Sequence, residues 1–187
     1  MAALHGSDRG GEHAPASPER APEKPTGGAA LSPLVVERIT HQDVPAICTL
    51  YRRVWEHGSS GGLPTELVKS WQPTPLEFTS WMEGVTYFAA RRDGRLLGVI
   101  GCEIDHGNCH LVSLAVDPDG RRKGVGSALV AAGIEWARHA NAGQVWADAL
   151  ARLTAVSALF KHLGFAECGV LHRHNFNEDV RLFERTL

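Results

Sequence analysis

Residues 111–132 read Leu-Val-Ser-Leu-Ala-Val-Asp-Pro-Asp-Gly-Arg-Arg-Lys-Gly-Val-Gly-Ser-Ala-Leu-Val-Ala-Ala. The first six are apolar apart from Ser113, the pattern of a buried strand, and the run after Gly126 has the composition of a helix. Between them lie a cationic cluster, Arg121, Arg122 and Lys123, and the triplet Gly124-Val125-Gly126. Strand, basic glycine loop and helix start in that order predict a pocket for a phosphorylated ligand. Gly124 and Gly126 let the main chain approach a ligand closely, and the first-turn N–H groups from about Gly126 onward have no intrahelical partner. Phosphate oxygens can accept those bonds, helped by the positive end of the helix dipole and the three cations. A lone Gly-x-Gly would be an ordinary turn; here charge and both flanking elements coincide with it.

Outward from this stretch the chain reads as mixed α/β. A first strand is predicted over 34–39, followed by a helix whose start is marked by Thr40 and, three residues on, Asp43. Val44, Ile47, Tyr51 and Val54 or Trp55 then recur at helical spacing. A glycine and serine loop over 58–62 leads to one or two short helices across 64–71 and 75–83, whose Trp71, Phe78 and Trp81 are expected in the core or a pocket wall. Strands over 85–91 and 95–105 flank the Asp93-Gly94 turn, and a second turn at 105–108 enters the strand ending at Val116. The helix after the glycine loop carries a wide apolar face, with Val125, Leu129, Ala132 and Trp136 beside Val130, Ile134 and Ala137. A strand over 144–149, a helix through Leu153, Val156, Phe160 and Leu163 capped by Gly164, and strands over 165–173 and 179–185 complete the chain.

Residues 1–33, with five prolines and almost no large apolar side chains, read as a disordered tail ahead of one domain over 34–187. The net charge of −2 gives no overall attraction to nucleic acid or anionic lipid, so phosphate binding must be local. No apolar run reaches the roughly 18 residues of a membrane helix. Four cysteines without a Cys-x-x-Cys pair suit reduced thiols and a cytoplasmic setting; Cys102 and Cys109 are expected on adjacent strands as buried thiols, and Cys109 and Cys168 as core thiols rather than nucleophiles.

At Arg121-Arg122-Lys123-Gly124-Val125-Gly126 the chain resembles the coenzyme A signature, Arg/Gln-x-x-Gly-x-Gly/Ala, of the GNAT superfamily of N-acetyltransferases. The resemblance spans about residues 34–187 and includes the preceding Leu-Ala-Val strand and the closing Leu163-Gly164-Phe165, roughly 40 residues after the signature. It implies a central, mostly antiparallel sheet splayed between its fourth and fifth strands, with helices on both faces. It also implies acetyl-CoA as co-substrate, a primary amine on a small molecule, peptide or protein as acceptor, no metal, and a monomer or homodimer. Backbone N–H groups from Arg122 to Ser127 would hold the pyrophosphate. Leu114, Ala115 and Val116 would run beside the pantetheine arm and part from the next parallel strand near Asp148. A backbone N–H at a strand bulge near 114–116 would meet the developing oxyanion.

For the base that frees the amine of its proton, the resemblance points to His110, where family members carry a glutamate or a histidine. Imidazole, with an ordinary pKa of about 6.5, suits that task. A separate argument is geometric: a two- or four-residue loop in the 105–108 turn sets Glu103 directly opposite His110 on one sheet face, able to orient the ring. The alternative is a histidine satisfied by an ordinary cross-strand bond. The acid step departs from the family: the tyrosine expected four residues before Gly164 is Phe160, and the asparagine that often opens that helix is Leu153, leaving Thr154, Ser157 or water. These losses also admit a coenzyme A sensor of the same fold. A dinucleotide or S-adenosylmethionine enzyme is set aside, because residues 117–123 separate strand from glycines and Leu129 stands where a third glycine belongs. His172 and His174 are expected to line the acceptor pocket or stay exposed, with metal binding a weaker option. Glu178 and Asp179 read as solvated turn carboxylates.

Overall fold

The computed structural model describes residues 32–56 and 62–187. Apart from Ser32 and Pro33, the expected tail therefore lies outside the described residues, and of the 58–62 loop only Gly62 is described. Seven strands, β1 (Val35–Arg38), β2 (Thr86–Arg92), β3 (Arg95–Asp105), β4 (Asn108–Val116), β5 (Gln144–Leu150), β6 (Ala166–Asn175) and β7 (Glu178–Thr186), make one open sheet in the order β1-β2-β3-β4-β5-β7-β6. Every neighbouring pair is antiparallel except β4 with β5. The expected mixed, mostly antiparallel sheet is thus the one the chain builds. Five α-helices lie among the described residues: α1 (Val44–Glu56), α2 (Thr65–Ser70), α3 (Pro75–Trp81), α4 (Val125–His139) and α5 (Thr154–His162).

Local chemistry sets the element ends. Thr40 and Asp43 form a reciprocal capping box on a short 3-10 turn that runs into α1, and Thr74 with Glu77 does the same for α3, with Pro75 at its first position. Three hairpins turn on pairs of left-handed residues, Asp93-Gly94, His106-Gly107 and Phe176-Asn177, whose twist matches that of the flanking strands. The two-residue loop at His106-Gly107 fixes the β3–β4 register and places Glu103 opposite His110, as the sequence predicts.

Helices cover both faces. The apolar stripe of α4 packs with Phe160, Phe165 and Phe183 against one face, and α1 with Phe78 and Tyr87 against the other. Phe78, Phe160 and Phe183 are fully buried, each worth about 1.5–3 kcal/mol of transfer free energy. Cys102 and Cys109 are buried free thiols, and the Cys102 thiol is pushed up by its hydrogen bond with Cys109 and by burial. Cys168 is exposed rather than a core thiol. The reason is topological: β7 inserts beside β5, which leaves β6 at the sheet edge. None of the helices in the described residues is long and apolar enough to cross a membrane.

Both tyrosines of the chain, Tyr51 and Tyr87, are buried. Burial raises Tyr51 well above its ordinary value and pushes Tyr87 up to about 12. A folded-state pKa above the unfolded one stabilises the fold fully below the ordinary value of about 10, and that contribution is lost as pH rises through about 12. Ultraviolet titration should therefore show almost no tyrosinate absorption at pH about 10.5 in the folded chain and roughly three-quarters ionisation of both rings in denaturant.

Candidate active site

The loop ahead of α4 is held from behind. Asp117, buried at the end of β4, receives Arg53 Nε from α1 at 3.3 Å and Arg95 Nη2 from β3 at 3.3 Å, while its own N–H donates to Leu97 O at 2.8 Å. Arg95 also reaches Asp119 at 2.7 Å, and this bond holds the Asp119 carboxyl below the usual range. The Asp-Pro-Asp-Gly turn is thereby pinned to the antiparallel half of the sheet. Beyond it, Arg122 and Gly124 both adopt left-handed backbone, with φ of +56° and +81°. The helix begins at Val125, the first residue of its expected apolar face, and its first ladder bond runs from Ala128 N–H to Gly124 O. The N–H groups of Val125, Gly126 and Ser127 therefore precede the ladder, with no side-chain cap over them.

A Cβ built on Gly124 would meet nothing within 4 Å, so open space lies over the loop where an anion can sit. Gly126 has a different reason: its Cβ would come within 3.0 Å of the Leu159 side chain, so α4 and α5 pack closely there. Arg122 and Lys123 are exposed beside the amides. Left-handed turns, uncapped amides and flanking cations fit a pyrophosphate.

The second feature is a gap in the sheet. β4 and β5 pair only through Cys109, His110 and Leu111 against Val145, Trp146 and Ala147. Immediately afterwards β4 bulges: Gly101 pairs with Val112 but Val99 pairs with Ala115, and Ser113 has φ of +56°. A bulge bends its strand and sharpens its twist, which carries 112–116 away from 148–150. Tyr51 in α1 donates its hydroxyl to Ser113 O at 2.7 Å and fastens the bulge. A cavity of about 200 Å3 occupies the gap, lined on one side by Leu111, Leu114, Val156 and Phe160 and on the other by Tyr51, Trp55, Trp71, Trp81 and Asp148. Of the three residues expected beside a pantetheine arm, Leu114 lines this cavity. The side chains of Ala115 and Val116 instead pack into the two cores, so only their backbone is available to a ligand.

His110 lies beside the gap with a side chain 14% exposed. Its Nδ1 is 3.0 Å from Glu103 Oε1, its Nε2 is 3.0 Å from Asp148 Oδ1, and its ring stacks on Trp146 at 3.5 Å and 3°. Each ring nitrogen thus faces a carboxylate oxygen at hydrogen-bond distance, and a neutral ring, with one donor and one lone pair, can donate to only one of them. Asp148 both touches this ring and lines the cavity, which makes it the link between them.

Other expected residues fall elsewhere. Thr154 is exposed; Ser157 is buried with its hydroxyl unpartnered among the described residues, and neither lines the cavity. His172 and His174 are exposed, and His172 pairs with Asp179 at 3.3 Å. The left-handed Arg173 and a register shift between Leu171 and Asn175 interrupt the strand alternation there, and Asn175 lines the cavity instead. No group of three metal-ligating side chains forms among the described residues. Glu178 is not a solvated turn carboxylate: it pairs with Arg152 Nε at 3.1 Å, and the same guanidinium donates to Gly62 O at 2.6 Å. Asp179 is engaged too, accepting from Arg173 N–H at 2.8 Å, a bond that lowers its pKa.

Comparison with known proteins agrees with this architecture. A ribosomal-protein-alanine N-acetyltransferase from Brucella melitensis superposes with a TM-score of 0.68 at 23% identity, covering 82% of this chain and 99% of that one. The PaiA N-acetyltransferase of Thermoplasma acidophilum, solved in complex with coenzyme A, gives a TM-score of 0.69 at 14% identity over 83% and 99% of the two chains. At these identities the likeness is one of fold. In sequence, a mycothiol acetyltransferase of Clavibacter sepedonicus is 33% identical over 92 residues, 49% of this chain but 30% of that protein, so the match spans about a third of its curated relative. A family model matches residues 45–165, from the first turn of α1 to the Leu-Gly-Phe close of α5, and with that the chain belongs to the acetyltransferase (GNAT) family.

Proposed function

We propose that the chain transfers an acetyl group from acetyl-CoA to a primary amine by direct attack of the amine on the thioester. The observation that carries this reading is the cavity in the β4–β5 gap, whose lining includes Asp148, the carboxylate that also binds His110; the uncapped amides of α4 stand on the loop that leaves the same β4. Bound acetyl-CoA supplies the activated carbonyl. Arg122, Lys123 and the N–H groups from Arg122 to Ser127 hold its diphosphate, Arg121 adds to the local positive field, and the open backbone of 114–116 runs beside its arm. An N–H of the bulge stabilises the charge that gathers on the carbonyl oxygen, and Tyr51 holds that bulge in place.

An alkyl ammonium, with an ordinary pKa of about 10.4, must lose a proton before it attacks. Asp148 attracts the ammonium at the cavity wall. With the ring neutral and Nδ1–H donated to Glu103, the proton passes through Asp148 to Nε2, and the resulting imidazolium donates to both carboxylates. Glu103, 37% exposed, opens the way back to solvent. Phe160 has no proton to give the departing thiolate, and that step is assigned to water.

The test is calorimetric binding of acetyl-CoA followed by free-thiol release across primary amines. Tight binding with amine-dependent release is expected. Binding without release for any amine would replace the transferase with a coenzyme A sensor, and no binding would remove both.

A further inference from the structure

We infer that the acceptor is a small aromatic monoamine, one ring on a short arm ending in a single ammonium. The inference rests on the transferase reading above and concerns the acceptor side of the same cavity. Tyr51, Trp55, Trp71 and Trp81 come from three separate segments to form its wall, with the Trp55 and Trp71 rings 4.3 Å apart. Such a wall binds a flat apolar body and favours a cation near its ring faces.

Among the described residues, Asp148 is the only charged group in the lining. One negative charge matches one ammonium. A polyamine would leave its remaining ammonium groups against tryptophan without carboxylates. An amino acid would bring a carboxylate that finds no cation and is repelled by Asp148. A sugar amine would lose water from several hydroxyls for which the wall offers few partners. The Tyr51 hydroxyl does not change this, since it already donates to Ser113 O.

Size agrees with the chemistry. An apolar cavity of about 150 Å3 takes up benzene. The space here, about 200 Å3 and open on one side to solvent, is of the order that a single ring fills.

The test uses the full chain saturated with coenzyme A and measures binding of 2-phenylethylamine, 2-phenylethanol, L-phenylalanine, spermidine and an alanine-initiated peptide by calorimetry. Thiol release from acetyl-CoA is measured in parallel for each amine. 2-Phenylethylamine is expected to bind roughly tenfold or more tightly than any of the others. Asp148→Asn should lower its affinity to that of the alcohol, whereas Trp71→Ala should weaken amine and alcohol by similar factors. Equal or tighter binding of phenylalanine, spermidine or the peptide would overturn the inference. The two readings fail separately. Binding of 2-phenylethylamine with no acetylation of any amine would remove the transferase and keep the pocket assignment. Acetylation of spermidine or peptide without binding of 2-phenylethylamine would do the reverse.

Discussion

Gly124→Val is expected to abolish measurable acetyl-CoA binding while the protein stays folded. Gly124 holds φ of +81°, where a β-branched side chain is strained by about 1–3 kcal/mol. That strain is relieved by rotating the backbone, which turns the neighbouring N–H groups of the first α4 turn away from the anion. A hydrogen bond to a charged group contributes about 1.5–3 kcal/mol, so losing two of them lowers affinity by roughly a hundredfold to ten-thousandfold. Space around the missing Cβ is open, so the effect falls on ligand binding more than on packing. Calorimetry with acetyl-CoA alongside a thermal melt separates the two. A variant that bound normally would mean the diphosphate lies elsewhere.

The second large effect is on turnover. His110→Ala should lower kcat roughly a hundredfold or more, the scale of a lost general base, with the affinity for acetyl-CoA nearly unchanged. In the native chain kcat/KM should rise along an acid limb as the base loses its proton, and that limb should vanish in the variant. Glu103→Gln should keep part of the rate, because an amide still accepts from Nδ1 but no longer stabilises a charged ring. An unchanged pH profile in His110→Ala would leave the histidine as a cross-strand contact stacked on Trp146.

The parts of the site that were legible in the sequence are those set by short spans of chain. The glycine loop announces itself through its cations and the elements on either side, and the Glu103–His110 pairing follows from one two-residue turn. Asp148 was not legible as the partner of His110. It lies 38 residues away, across a helix, and its place depends on a parallel register of three residue pairs. No local pattern encodes that. A bulge near 114–116 was expected from the resemblance alone; the residues did not show its place at Ser113, since a serine in left-handed backbone carries no glycine to mark it. Cys168 was misjudged because an apolar pattern does not tell an edge strand from an inner one, and strand order puts β6 outside β7. For the tryptophans a wall could be expected, but their meeting around a single carboxylate comes from the packing of α1, α2 and α3.

Arg152 binds both Gly62 O and Glu178, so one guanidinium ties the segment leading into α2 to the closing hairpin. Residues that share a partner in this way do not vary independently, and their substitutions combine non-additively. Under the proposed function, efforts to change the acceptor by randomising either segment alone would then meet epistasis at position 152. Libraries that diversify both segments together, with Arg152 held constant, keep the scaffold on which new specificities can be selected.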